Sequence, residues 1–138
     1  SSPRRMPANA ELIAALLVPI AGDNPSGKDL RYDARYDKVK EARREDLDLP
    51  PGGLATDRKV ADWPAVVTQA RALLEKETKD LQLGAWLAEA LLKREGAAGL
   101  ATGLRGLEGM LRDFWETLYP ELDPDDLELR AGPLAWVG

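Results

Sequence analysis

The chain has 138 residues, a formal net charge of −5, and hydrophobic and charged fractions of 44% and 31%, which is typical of one soluble globular domain. It contains neither histidine nor cysteine, which excludes the usual neutral-pH base, thiol nucleophiles, disulfides and zinc sites built from those residues. The negative charge disfavours nucleic acid as a partner, and no apolar run reaches the roughly 18 residues of a membrane span.

The N-terminal segment raises the question of a secretion signal. Two arginines precede the apolar run LIAALLVPIAG, which has the length of a signal-peptide core. Asn9 and Glu11 lie between those charges and the run, which disfavours a signal. Met6 fits a natural start, and under that hypothesis residues 1–5 are a vector remnant and the positive region of a signal disappears.

The first predicted helix covers residues 10–18, where apolar side chains recur at helical spacing, and Pro19 ends it. The next segment, GDNPSGKD at 22–29, matches a phosphate-binding P-loop except in its last position. Asp29 replaces the hydroxyl that would hold Mg²⁺, Pro25 lacks an N–H, and the preceding run is typical of a helix rather than a strand. These departures favour an ordered turn, with a nucleotide or phosphate site as the disfavoured alternative.

A strongly charged helix is predicted over residues 32–46, in which Tyr32, Tyr36 and Val39 form a narrow apolar stripe. Its acidic and basic side chains are expected to face solvent and to pair along the helix. Residues 47–61 contain paired prolines and paired glycines, and this composition predicts a long loop.

Two groups of acidic residues invite a test for metal binding. Asp29, Asp33 and Asp37 recur at helical spacing and would fall on one helical face, but arginines interleave with them and no other ligand type is near, which favours a solvated row of charges. The DPDD sequence at 123–126 lacks the spacing of a calcium loop and favours helix capping. We therefore predict no metal, cofactor or catalytic residue.

Two further helices follow with clear start and stop signals. Asp62 is expected to cap the third helix, with Pro64 in its first turn and a wide apolar face after it. The fourth begins near Asp80 and ends at Gly96, a residue type typical of helix C-termini. Because apolar residues surround much of the fourth helix, we predict that it is the most buried one.

The fifth predicted helix, over 98–119, has the most regular pattern and ends at Pro120. Its apolar residues alternate in steps of four and three: Leu100, Leu104, Leu107, Leu111, Phe114 and Leu118. Beside this stripe, Gly99, Gly103 and Gly106 recur at the same steps, which predicts that a neighbouring helix approaches closely.

No alternating strand pattern of useful length occurs, so the chain is predicted to form an all-α, compact bundle of about five to seven helices. Trp63, Trp86 and Trp115 are assigned to its core. Asp123 is expected to cap a short last helix, and PLAWV near the end of the chain looks like the start of another apolar element.

Three blocks of the sequence resemble the ImpA-related N-terminal domain of TssA proteins of the bacterial type VI secretion system. They are PIAGDNPSGKDLRYD, then DWPAVVTQARALLEKETKDLQLGAWLAEALLKREGAAGLATGL, then WETLYPELDPDDLELRAGPLAW. The resemblance extends over about residues 12–137, in order and without a large gap. One departure is Ser26, where the family commonly has cysteine, and a small residue there should leave the turn intact.

The resemblance implies a cytoplasmic, non-enzymatic structural component of the secretion machine. Residues 1–138 would be one helical domain at the N-terminus of a longer protein whose C-terminal region builds a homo-oligomeric ring. The implied partners are baseplate, membrane-complex and tube or sheath proteins, without nucleic acid or membrane insertion. From the residues alone, a generic helical adaptor that binds effectors or peptides remains an alternative, and it predicts an exposed apolar groove.

Six residues in or near the charged helix are predicted to bind a partner: Arg31, Tyr32, Asp33, Tyr36, Arg43 and Arg44. The tyrosines and arginines among them are of types enriched at interfaces. The alternative is that the tyrosines pack under the helix as its core contacts. Positions of the family motif or of the predicted packing are expected to be structural: Asn24, Pro25, Gly27, Asp29, Leu30, Trp63, Lys79, Asp80, Trp86, Gly99, Gly103, Trp115 and Pro120.

Overall fold

The structure, a computed structural model, describes residues 8–45 and 59–120. Five helices make up these ranges: α1 (Ala8–Leu17), α2 (Ala34–Arg43), α3 (Trp63–Lys76), α4 (Leu81–Glu95) and α5 (Ala97–Phe114). Within the described ranges there is no strand, and the only extended pairing consists of isolated bridges. The predicted all-α bundle is confirmed. Most of the predicted 47–61 loop, the DPDD helix and PLAWV lie outside the described residues.

α4 forms the centre of the bundle because the sequence gives it apolar residues on nearly every side. Nine of its residues are buried, more than in any other described helix, as predicted. The Asp80 carboxylate accepts hydrogen bonds from the backbone N–H groups of Gln82 and Leu83, and Gly96 ends the helix with φ +67°. α3, α5 and α2 pack against it, while α1 packs on α5 and α3.

The glycine row of α5 faces two other helices at short range. A Cβ atom on Gly103 would lie 2.5 Å from Cβ of Ala88 in α4, and one on Gly106 would lie 2.5 Å from Cδ1 of Leu16 in α1. Gly99 similarly faces the backbone of α4 at Leu91. The predicted close approach of neighbouring helices is therefore confirmed, since any side chain at these positions would push the helices apart.

α5 is shorter than predicted. It ends at Phe114, whose carbonyl oxygen accepts hydrogen bonds from the N–H groups of both Thr117 and Leu118, and the chain then turns away. Pairing of Tyr119 with a distant segment, described below, replaces the last helical turn. As a consequence Trp115 is 43% exposed, so its assignment to the core was wrong. Trp86 is buried and Trp63 partly buried against the core, as assigned.

α2 is also shorter than the predicted 32–46. It starts at Ala34 because the Asp33 carboxylate caps it by accepting from the Arg35 N–H, and it ends at Arg43. Asp29 and Asp33 therefore precede the helix, and the prediction that they share a helical face with Asp37 was wrong. Tyr36 and Val39 are buried under α2, as the narrow stripe predicted, but Tyr32 lies outside the helix.

Candidate functional site

Three segments that are distant in sequence meet at one place, which we call the junction: residues 24–28, 77–81 and 117–119. The N–H of Lys28 donates to the carbonyl oxygen of Glu77 at 3.1 Å, and the N–H of Lys79 donates to Ser26 at 2.7 Å. On the other side, the N–H of Tyr119 donates to Lys79 and the N–H of Leu81 to Tyr119, both at 2.9 Å. The central segment is thus paired on both edges, and this ties α1, α3, α4 and α5 together.

Side chains of the junction complete these contacts. The hydroxyls of Ser26 and Thr117 are hydrogen bonded at 2.7 Å, and Ser26 is fully buried. The hydroxyl of Tyr119 donates to the carbonyl oxygen of Gly27 at 3.0 Å and accepts from the side-chain amide of Asn24 at 3.4 Å. The Asn24 amide oxygen also accepts from the Ser26 N–H, so one short loop satisfies most of its own polar groups.

Gly27 is required at its position for two reasons. Its φ is +74°, a backbone conformation that side chains disfavour, and a Cβ atom there would collide with the carbonyl of Glu77. The turn predicted around Asn24-Pro25 is confirmed by the hydrogen bond from the Gly27 N–H to the Asn24 carbonyl oxygen at 2.9 Å.

The same loop was the candidate for phosphate binding, and its geometry does not favour that role. A phosphate cradle presents successive unpaired N–H groups, but those of Ser26, Gly27 and Lys28 donate to Asn24 Oδ1, Asn24 O and Glu77 O. The element before the loop is α1, a helix, where the P-loop arrangement has a strand.

Lys79 is the most unusual residue of the junction because its side chain is fully buried. Its ammonium group donates to the carbonyl oxygens of Leu16 at 2.8 Å and Leu74 at 2.6 Å, and lies 5.2 Å from the centre of the Phe114 ring. These carbonyls belong to the last turns of α1 and α3, where a positive charge is favourable. Burial lowers the pKa of Lys79 to about 8.

The next residue, Asp80, is also buried, and its carboxylate caps α4 as described above. Burial raises its pKa to about 6, although the two backbone N–H groups that it accepts from act in the opposite direction. Two adjacent charged side chains therefore cap helix ends: Lys79 caps the C-termini of α1 and α3, and Asp80 caps the N-terminus of α4. Both were expected to be structural from the family resemblance, but no rule of sequence spacing predicts which helix ends Lys79 reaches.

Two of the six residues predicted to bind a partner hold α2 on α4. The rings of Tyr36 and Trp86 lie 5.1 Å apart, and the Arg43 guanidinium lies 5.5 Å from the Trp86 ring. Arg43 also forms an ion pair with Glu89 at 2.7 Å. For Tyr36, packing under the helix, the alternative considered from the sequence, is what the structure shows.

Two more of the six are engaged in local ion pairs. Asp33 pairs with Arg35 at 3.0 Å, and hydrogen bonds from Arg35 lower the pKa of Asp33 to about 2. Arg35 also lies 3.4 Å from the carboxylate of Glu77, and Arg44 pairs with Glu41 at 3.1 Å. All these side chains are largely exposed, so the pairs orient the residues more than they stabilise the fold.

The remaining two form the exposed Arg31–Tyr32 pair. Tyr32 is 88% exposed, the highest value for a large hydrophobic side chain in the described residues, and the Arg31 guanidinium lies over its ring at 5.4 Å. The backbone on both sides is fixed, because Asp29 accepts from the Arg31 N–H at 3.0 Å and Asp33 caps α2. The pair is thus a fixed aromatic and cationic surface beside the junction.

Comparison with known proteins identifies the family. The model described as "ImpA, N-terminal, type VI secretion system" matches residues 17–138. The chain belongs to this family. It is 30% identical over 114 residues to the type VI secretion system component TssA1 of Pseudomonas aeruginosa, covering 83% of this chain and 33% of that protein. It therefore spans about a third of the length of this curated relative.

A solved structure gives a second likeness. The N-terminal domain of the TssA component from Burkholderia cenocepacia, which includes the conserved ImpA N-terminal region, is 41% identical and superposes with a TM-score of 0.79. The match covers 99% of this chain and 50% of that one. Both likenesses agree with the resemblance drawn from the three sequence blocks. Among the described residues, none of the helices is long and apolar enough to cross a membrane.

Proposed function

We propose that this domain is the N-terminal part of a longer TssA-like protein and acts as a non-enzymatic assembly component of the type VI secretion system. In this role its outer surface contacts other proteins of the apparatus, which are the baseplate, the membrane complex or the tube and sheath, in the cytoplasm. Oligomerisation of the longer protein would belong to its C-terminal region. The family match and the two relatives support its assignment to the type VI secretion system, and the exposed Arg31–Tyr32 pair supports a binding role.

The observation that carries the proposal is the Arg31–Tyr32 pair. Within the segment that resembles the family motif, Asn24, Ser26 and Gly27 are committed to the junction, whereas Arg31 and Tyr32 are not. Tyrosine and arginine are the residue types that most often dominate binding energy at interfaces. Because the flanking backbone is already fixed, a partner would bind Tyr32 with little further loss of conformational freedom.

The ionisable groups support a non-enzymatic role. The two residues of the junction with clearly shifted pKa values, Lys79 and Asp80, are buried and bonded to helix ends. Tyr36, whose pKa is raised by burial, packs against Trp86. In each case the shift has a structural cause.

The test is a pull-down of purified baseplate, sheath and membrane-complex proteins with this domain and with the Arg31→Ala/Tyr32→Ala double variant. We expect the wild-type domain to retain at least one of these proteins and the double variant to lose it. Val60→Ala/Arg105→Ala is the matched control, because Val60 is 66% exposed and Arg105 is exposed on α5. Retention by both variants, or no retention by the domain while the full-length protein retains partners, would place binding elsewhere.

A further inference from the structure

The outward side of α3 has an unusual surface, which we call the α3 face. Its exposed row is Pro64, Thr68, Ala72 and Lys76, spaced by four residues, so small side chains occupy the middle of the row. A hollow lies on each side of this row, and the two hollows meet at Ala72. Small residues at the meeting point allow another chain to approach the α3 backbone closely.

The first hollow, of about 210 Å³, lies between α2 and α3. It is lined by the apolar residues Ala72 and Leu73 and by the cationic residues Arg35 and Lys38. Gln69 also lines it, and the side-chain oxygen of Gln69 is covered from solvent without accepting a hydrogen bond from any described residue. Rotation of the Gln69 side-chain amide about its soft terminal torsion would turn this oxygen towards the hollow. An N–H group of a bound segment would then donate to it.

The second hollow, of about 420 Å³, runs along the other side of α3. Val67, Thr68 and Ala72 form its less polar part, while Arg71 and Lys76 contribute positive charge and Glu75 a negative one. Both hollows are open to solvent and bordered by side chains, so they suit the side chains of a peptide better than a buried small molecule.

The charge of the α3 face differs from that of the molecule. Lys38, Arg71 and Lys76 make no ion pair within the part of the chain that the structure describes. Glu75 is the one acidic residue that lines the hollows, and Arg35 is already paired with Asp33 and Glu77, so the positive charge of the face comes from these three cations, although the whole chain has a net charge of −5. Unpaired cations beside apolar side chains are complementary to carboxylates on an amphipathic segment.

We propose that the α3 face binds an acidic amphipathic segment of another protein. The segment crosses α3 at Ala72, places an apolar side chain against Leu73 in the first hollow, and sets carboxylates against Lys38, Arg71 and Lys76. A nucleic acid has no apolar side chain to place against Leu73, and a membrane surface is too broad to enter the two hollows. This surface shares no residue with the Arg31–Tyr32 pair, and the proposal does not depend on the secretion role.

The test uses this chain and two fluorescent amphipathic helical peptides with the same apolar residues. One peptide carries glutamates on its polar face and its twin carries lysines. Fluorescence anisotropy is followed as each peptide is titrated. We expect binding of the acidic peptide only, with an affinity that falls between about 0.01 M and about 0.15 M ionic strength, as the Debye length shortens from about 30 Å to about 8 Å.

A matched pair of variants locates the binding. Ala72→Glu places bulk and negative charge where the hollows meet, and we expect binding to weaken roughly tenfold or more. Ala101→Glu makes the same change at an exposed alanine of α5 and should leave the affinity within about twofold of wild type. Both sites are exposed and helical, so neither change should unfold the domain. Equal binding of the two peptides, no binding of the acidic one, or equal effects of the two variants would overturn the proposal.

Discussion

At the junction, most buried polar groups find their partners inside the chain, whereas on the α3 face three cations make no ion pair with the described residues. The buried hydroxyls of Ser26 and Thr117 bond to each other, and the buried ammonium of Lys79 donates to two carbonyl oxygens. Lys38 and Arg71 are charged as well, but neither makes an ion pair within the described ranges. The difference separates residues that hold the fold together from residues that remain available to another molecule.

Among the tests of this contrast, we expect the largest effect from Gly27→Ala in the junction. The substitution combines a positive φ with a collision against the Glu77 carbonyl, and we expect a loss of about 4 kcal/mol in the free energy of unfolding. Gly22 is the control, because its φ is +119° but nothing lies within 4 Å of a Cβ there. Gly22→Ala should cost about 1 kcal/mol. Urea unfolding measures both, and equal losses would show that the close packing at Gly27 is not decisive.

The two tyrosines near α2 provide the next test. Tyr36 is buried against Trp86, so Tyr36→Ala should lower the free energy of unfolding by about 3 kcal/mol. Tyr32 is exposed, and Tyr32→Ala should change it by less than about 0.5 kcal/mol. Urea unfolding measures the change in the free energy of unfolding for both variants. A comparable loss for Tyr32→Ala would mean that this ring supports the fold and would weaken its assignment as a binding residue.

The tyrosines also show how far the sequence could be interpreted. Their spacing of four is helical and places both on one apolar stripe. Tyr36 is buried there, as the alternative to its predicted binding role has it, but Tyr32 lies outside the helix. The capping bond of Asp33, which starts α2 two residues after Tyr32, decided the difference. Likewise the a/d stripe of α5 continues to Leu118 in the sequence, yet backbone pairing of Tyr119 with Lys79 and Leu81 ends the helix at Phe114.

Contacts between distant segments explain most of what the sequence could not show. The helix starts at Asp62 and Asp80 depend on neighbouring residues and were predicted. The junction depends on three segments meeting, and the only advance indication was that all three lie in blocks that resemble the family. The α3 face was not predicted, because unpaired charge on an exposed helix becomes informative only when the neighbouring helix and the hollows are known.

A smaller effect is expected from Lys79→Met, which removes the ammonium but keeps a long apolar stem. The carbonyl oxygens of Leu16 and Leu74 lose their donor, although the cost of burying a charge also disappears. We therefore expect a net loss of about 2 kcal/mol in the free energy of unfolding at neutral pH. Lys93→Met, at an exposed lysine in the last turn of α4, should cost less than about 0.5 kcal/mol.

Lys79 also predicts a dependence on pH. Its pKa is about 8 in the folded chain and 10.5 ordinarily, so between these values the unfolded chain binds a proton that the folded chain does not. The contribution of Lys79 to stability should therefore rise as pH increases from about 8 towards 10. Above its ordinary pKa of 10.0, Tyr36 acts in the opposite direction, because burial raises its pKa. The same rise in Lys79→Met would show that another group causes it.

The smallest effect tests the hydroxyl of Thr78, the one side-chain polar atom of the described junction residues that is buried without a hydrogen bond. Thr78→Val replaces this hydroxyl with a methyl group of similar size, and it should raise the free energy of unfolding by about 1 kcal/mol. Thr117→Val makes the same replacement where the hydroxyl is bonded to Ser26, and it should lower that energy by about 1 kcal/mol because Ser26 is left unpaired. Thermal unfolding of both variants measures the two signs. Destabilisation of similar size in both would mean that Thr78 has a partner in solution, and the junction would then be completely satisfied, which sharpens its contrast with the α3 face.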